Sequence, residues 1–273
     1  MRTRIITAVA ALCILAPILI FASVTVVGNI TVLQLALAIV CAIGVWEALS
    51  CVGMAKTAFV SLPCIVLSVI LILTVRNSLD NFAPIALLML FYLLFSGVIA
   101  HKNDNINASK LLEAFGFVLY VTASFGALFV LYQRSAGILF PLIFIGAWVT
   151  DTMAYFTGVF FGRHKLIPEV SPKKTVEGAA GGTLFCILGF VIWGIIKGVS
   201  PTGLAVFGVL GLLCAVVSQL GDLCASLIKR QHGIKDYGKL FPGHGGVLDR
   251  FDSILAVSVL LYLVTELPLE ELL

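Results

Sequence analysis

The sequence predicts an all-α protein of packed transmembrane helices, and three observations predict it. The chain is 60% hydrophobic and only 11% charged over 273 residues, which is more apolar side chain than a soluble domain can hide. Its mean hydropathy is +1.13. Apolar runs of about 17–25 residues, the length that crosses a hydrocarbon core of roughly 30 Å, recur along nearly the whole chain.

Charged breaks divide these runs into about nine expected spans: 5–27, 30–50, 57–75, 82–100, 111–132, 137–161, 179–197, 202–228 and 252–268. The opening Met1-Arg2-Thr3-Arg4 followed by Ile5 to Val27 is too long for a signal peptide and lacks a small-x-small cleavage site, so it reads as a retained first span. Pro17, Pro63 and Pro84 mark kinks or breaks in the first half. With the N-terminus in the cytoplasm, the loops on that side hold every Lys and Arg except Arg76, Arg134 and Lys197. The positive-inside rule therefore selects a multi-pass topology with the N-terminus in and the C-terminus out. Residues 1–110 read as N-terminal helices joined by short turns. Residues 111–273 read as the catalytic region, with cytoplasmic loops 162–178 and 229–251. The seven cysteines are scattered through apolar segments with no C-x-x-C, as expected of small packing residues.

Chemistry concentrates in those loops and the helix ends beside them. Asp222, Ser226 and Lys229 stand at i, i+4 and i+7, placing acceptor, hydroxyl and cation on one helix face, with Gln219 extending the stripe and Arg230 following. An ionisable residue within a span costs a few kcal/mol and normally faces a wet or paired interior. Asp222 is thus either a functional carboxylate or one paired with a neighbouring lysine to hold two helices together. The next segment carries Lys235, Lys239, His244, Gly245, Gly246, Asp249, Arg250 and Asp252. Its glycines let backbone amides approach an anion, and its cations suit phosphate. Asp249 and Asp252 lie at i, i+3 where the ninth span begins, so both are able to face the same way as Asp222. Carboxylates beside a basic glycine loop suit Mg²⁺, which takes one or two of them together with substrate phosphates. No tetrahedral zinc set is present. His244 reads equally as a phosphate donor, an acid or a loop residue, while His101, His164 and His232 read as ordinary loop residues.

Upstream, Asp151 lies deep in the sixth span, where a structural role would still need a partner. Gly158 and Gly162 on the same face read as close helix packing. The following Ser171-Pro-Lys173-Lys174-Thr-Val-Glu177-Gly178-Ala-Ala-Gly181-Gly182 combines basic residues with a glycine-rich helix start, either an anion site or a positive-inside anchor. Walker, dinucleotide, nucleophile-elbow and H-E-x-x-H motifs are absent.

The 27 positions from Ser226 to Asp252, S-L-I-K-R-x4-K-D-Y-G-x2-F-P-G-H-G-G-V-L-D-R-F-D, resemble the signature of the phosphatidate cytidylyltransferase (CDP-diacylglycerol synthase) family. The segments D-T-M-A-Y-F-T-G and S-P-K-K-T-V-E-G-A-A-G-G are similar to that family too, so the likeness runs over about residues 148–254. It implies CMP transfer from CTP to phosphatidic acid at the cytoplasmic face of the membrane, by a homodimer with no nucleic-acid partner. It further implies Mg²⁺ on Asp222 and Asp249, with Asp252 as a further ligand, and allows K⁺ beside it. On this resemblance Lys229, Arg230, Lys235 and Arg250 offset substrate charge, Lys173 and Lys174 hold lipid phosphate or nucleotide, and Ser226, His244, Gly245 and Gly246 belong to the site. The D-G-x2-A-R pattern of CDP-alcohol phosphotransferases is absent, as are the inverted repeats expected of a transporter.

Overall fold

The computed structural model describes Cys13 and residues 15–76, 78–99, 107–135, 137–243 and 245–267. It divides into two compact units, Met1–Val130 with His232–Arg250, and Leu131–Gln231 with Phe251–Leu273.

In the first unit a short antiparallel hairpin, β1 (Thr25–Val27) and β2 (Ile30–Thr31), turns at Gly28, whose φ of 57° is a left-handed value that glycine accepts without a Cβ clash. This corrects the end of the first expected span: residues 21–27 are turn and strand, while residues 1–12, where that span begins, lie outside the described residues. Helix α1 (Val32–Cys51) starts at Thr31, whose hydroxyl accepts the Gln34 amide at 3.2 Å. Helix α2 (Ala58–Thr74) continues through Pro63 rather than breaking there, and Pro84 sits in the first turn of α3 (Phe82–Ile99). Buried Gln34 donates Nε2 to Ile72 O, Leu73 O and Val75 O at 2.9, 3.1 and 3.0 Å, satisfying carbonyls that the end of α2 leaves without intrahelical donors. Helix α4 (Ala108–Ser135) carries the fully buried Phe125 and Phe129, and at Gly126 it approaches Leu71 and Ile72 of α2.

In the second unit α5 (Phe140–Phe144) passes through one π-helical turn, Ile145–Val149, into α6 (Thr150–Phe161). A π-turn inserts one residue into the α register and often marks a functional position; here Asp151 comes two residues after it. Where the sequence predicts a plain loop, β3 (Lys165–Ile167) and β4 (Ser171–Thr175) pair antiparallel, with Lys165 opposite Thr175. Thr175 then caps α7 (Val176–Ile196) by accepting the Gly178 amide at 3.1 Å. Helix α8 (Pro201–Gln231) is 31 residues long, and α9 (Leu248–Thr265) follows.

Glycines set how closely α6, α7 and α8 approach. A Cβ at Gly178 would lie 2.7 Å from Ala154 O and 3.2 Å from Gly158 Cα, and one at Gly182 would lie 2.7 Å from Thr150 O. A Cβ at Gly211 would lie 2.9 Å from Ile187 Cα. Gly158 thus packs as its spacing predicts. The glycine-rich start of α7, read as either an anion site or a positive-inside anchor, provides this packing and has the Gly178 amide capped by Thr175.

The outward faces of this unit are apolar: Phe160, Phe161, Ile195 and Ile196 are 60% exposed or more. Among the described residues, five helical segments are long and apolar enough to cross a membrane: Val32–Cys51, Ala108–Ser135, Phe140–Phe161, Val176–Ile196 and Pro201–Gln231. Ala58–Thr74 and Phe82–Val98 are shorter apolar helices. The molecule is an all-α membrane protein in class, with two small hairpins added.

Candidate active site

A cavity of about 430 Å³ opens in the second unit. Its polar lining comes from Asp151 on α6, Lys165 on β3, Lys173 and Lys174 on β4, and Gln219 and Asp222 on α8, while Tyr155 and Val159 give it an apolar side. Hairpin register explains the lysine cluster. Lys165 pairs with Thr175, so the start of β3 comes beside the end of β4 where Lys173 and Lys174 stand. Sequence reasoning had counted Lys165 only among the cytoplasmic positive charges. No sequence signal placed it beside Lys173 and Lys174, because strands of three and five residues carry too little periodicity.

Lys174 forms an ion pair with Asp222, both side chains about a quarter exposed. Gln219, one turn earlier, donates Nε2 to Thr183 Oγ1 at 3.1 Å, which ties this stretch of α8 to α7. Asp252 on α9 interacts electrostatically with Asp222, Lys229 and Asp151. Lys229 is buried, Ser226 half-buried and Arg230 exposed in the last turn of α8. Asp151 is exposed at the cavity, and Ser253 Oγ donates to its Oδ2 at 3.1 Å. Asp151, Asp222 and Asp252, with Lys174 and Lys229, thus form a linked set of charges drawn from α6, β4, α8 and α9. Among the described residues no three His, Cys, Asp or Glu side chains form a ready metal-ligating cluster.

In the first unit the glycine turn ahead of α9 takes its shape from left-handed Gly243 (φ 77°) and Gly245 (φ 86°), and Phe241 N donates to Gly245 O at 2.9 Å. His244 lies outside the described residues. Asp249 is buried, and its Oδ2 accepts Tyr237 N at 2.7 Å and Gly246 N at 2.9 Å. The amides of Val247 and Leu248 go to Glu47. The turn read from sequence as suited to phosphate thus has internal partners for three of its amides. The Gly246, Val247 and Leu248 amides are taken by the protein's own carboxylates, Asp249 and Glu47. Glu47 was missed from sequence, although a lone acid in the apolar run of α1 was the available signal. Lys235 and Arg250 are exposed. His232 and His164 pair at 2.6 Å with Glu113 and Glu177, the first across 119 positions and the second across 13. His101 lies outside the described residues.

The cytidylyltransferase family's sequence profile matches residues 2–267, well beyond the 148–254 stretch of the motifs. The phosphatidate cytidylyltransferase of Staphylococcus aureus (strain COL) is 34% identical over 279 residues, covering 96% of this chain and 97% of that protein. That of Staphylococcus saprophyticus subsp. saprophyticus is 32% identical over 267 residues, with the same coverage. The phosphatidate cytidylyltransferase of Brucella abortus biovar 1 is 48% identical over 121 residues, an alignment that takes in 44% of each chain, less than half the length of that relative. Profile and relatives agree over nearly all the residues that build the cavity and the turn, and the chain belongs to the cytidylyltransferase family.

Proposed function

We propose that the protein is a phosphatidate cytidylyltransferase: it transfers CMP from CTP to phosphatidic acid, giving CDP-diacylglycerol and pyrophosphate. The observation that carries this reading is the cavity of the second unit, in which Lys165, Lys173 and Lys174 face Asp151 and Asp222 beside the apolar Tyr155 and Val159. A triphosphate and a lipid phosphate need cations, and acyl chains need an apolar side; this lining offers both.

In the reaction a phosphate oxygen of phosphatidic acid attacks the α-phosphorus of CTP in line. The bond from that phosphorus to the bridging oxygen of the β-phosphate breaks, and pyrophosphate leaves. The nucleophile is already anionic, so no side chain has to remove a proton, and positioning and charge neutralisation carry the catalysis. The lysines of the hairpin hold phosphate, with Lys174 exchanging Asp222 for substrate when the polyanion enters. Lys229 and Arg230, with Lys235 and Arg250 of the signature, offset charge on substrates and leaving group. Ser226, one turn beyond Asp222 on α8, offers its hydroxyl as a further donor.

The donor set suits Mg²⁺. Asp222 and Asp252 are hard oxygen donors near enough to interact, and Mg²⁺ takes one or two carboxylates and completes its shell with water and substrate phosphate. Asp249 joins them on the strength of its place in the family signature. When bound, Mg²⁺ supplies charge neutralisation at the triphosphate oxygens, and K⁺ is an accessory cation in the same reading. The reading also carries about nine spans, a cytoplasmic N-terminus, an active site open to the cytoplasm and a homodimer; the bias of Lys and Arg among the loops supports the orientation.

The test is to incubate purified protein with labelled CTP, Mg²⁺ and phosphatidic acid. Lipid-soluble label with equimolar pyrophosphate is expected. Pyrophosphate without lipid label, or neither product, contradicts the proposal.

A further inference from the structure

Glu47 sits in the apolar stretch Val45-Trp46-Glu47-Ala48-Leu49 of α1 and is only 4% exposed. Both of its oxygens are engaged by backbone 200 residues further along the chain. Oε1 accepts Val247 N at 3.0 Å and Oε2 accepts Leu248 N at 2.9 Å. Glycines make room for it on two sides: a Cβ at Gly238 would lie 2.2 Å from Oε1, and one at Gly246 would lie 2.2 Å from Oε1 and 2.5 Å from Oε2.

Leu248 opens α9, so these amides belong to the helix start, where N–H groups lack intrahelical acceptors and a negative charge is favoured. Asp249 takes the adjacent set, Tyr237 N and Gly246 N. Two carboxylates thus grip one turn, and Gly246 touches both: its amide serves Asp249 and its α-carbon packs on Glu47.

We propose that Glu47 is a positioning residue that caps α9 and clamps the glycine turn, so that Asp249 is held in one orientation. The inference rests on the activity proposed above and extends it to a residue outside the signature. A carboxylate is required because both oxygens accept; a glutamine offers one acceptor and turns an NH₂ toward the other amide. Leaving a buried donor unmatched loosens the turn, and loss of such an outer partner typically costs roughly 10–100-fold in metal affinity or activity.

The test compares full-length wild type, Glu47→Gln, Glu47→Asp and Gly246→Ala in detergent with CTP and phosphatidic acid. Glu47→Gln is expected to raise the Mg²⁺ concentration for half-maximal turnover roughly tenfold. Without substrates, it is also expected to speed tryptic cleavage after the exposed Lys235 and Lys239 while the rest of the chain resists. Glu47→Asp, which keeps both oxygens on a shorter stem, restores part of the Mg²⁺ response. Gly246→Ala, which leaves Glu47 intact but fills its place, reproduces the defect. A protein that merely folds less well would lose turnover without shifting its Mg²⁺ dependence. Wild-type Mg²⁺ response and wild-type cleavage in both Glu47→Gln and Gly246→Ala overturn the inference. If Glu47→Gln does not accumulate in membranes, Gly246→Ala decides by the same two readouts. Absence of lipid labelling by wild type brings down the proposed activity instead, and the cleavage comparison still judges the clamp.

Discussion

Lys174 of β4 and Asp222 of α8 form an ion pair at the cavity of the second unit. Each is about a quarter exposed, so the pair is neither a screened surface contact nor a sealed buried one. It links the hairpin to the long helix and gives Asp222 a cation in the place where metal chemistry would supply one.

Asp222→Asn is therefore expected to cut CMP transfer by roughly 10²-fold or more, the scale of losing a preorganised electrostatic group. Lys174→Met is expected to weaken CTP or lipid use through KM more than through kcat. Combined, the two changes should cost less than the product of their separate effects, because each removes the other's partner. Steady-state kinetics on the double-mutant cycle checks this, and wild-type turnover in Asp222→Asn refutes its role.

Chelation is expected to abolish turnover, and added Mg²⁺ to restore it. Ca²⁺, which prefers more ligands at longer distances, is expected to restore little. Label transfer across a titration of each ion in chelated enzyme measures it.

Gly178→Ala and Gly182→Ala are expected to destabilise the protein by about 1–3 kcal/mol each, the usual cost of forcing extra volume into a packed contact. Their added carbons would fall 2.7 Å from the carbonyls of Ala154 and Thr150. Gly208→Ala, with its nearest neighbour at 3.8 Å, is the matched control and is expected to be neutral or slightly stabilising. Thermal unfolding in detergent separates the two outcomes.

Ser253→Ala removes the hydroxyl donor to Asp151 and is expected to cost about 0.5–1.5 kcal/mol of stability with modest loss of turnover. Asp151→Asn is expected to lose more activity than Ser253→Ala, because Asp151 also lines the cavity and interacts with Asp252. Equal turnover in the two variants would reduce Asp151 to a packing partner.

Helix positions were legible because lipid-length apolar runs dominate the sequence, and α2, α3, α7 and α8 fall close to their expected spans. Helix spacing likewise foretold the close approach of α6 and α7 at Gly158. The hairpin 165–175 was not legible, since two strands of three and five residues carry too little periodicity to stand out from a charged loop. The π-turn at Ile145–Val149 left no mark in composition. The signature pointed to Asp222, Asp249 and Asp252, yet what the glycine turn grips escaped it. Glu47 is 200 positions away, and local patterns carry no information about a pairing so distant. Resemblance named the motif, and coordinates were needed to show that its amides are already taken.

The reach from Glu47 to Val247 also has a biosynthetic consequence. Chains emerge N-terminus first, so α1 meets the bilayer long before the residues that will receive its acid have been made. Throughout that interval the carboxylate must stay hydrated, protonated or shielded by a neighbouring helix, at the few kcal/mol such a group costs in lipid. Completion of the turn ends that exposure, which makes a segment translated 200 residues later the one that settles α1.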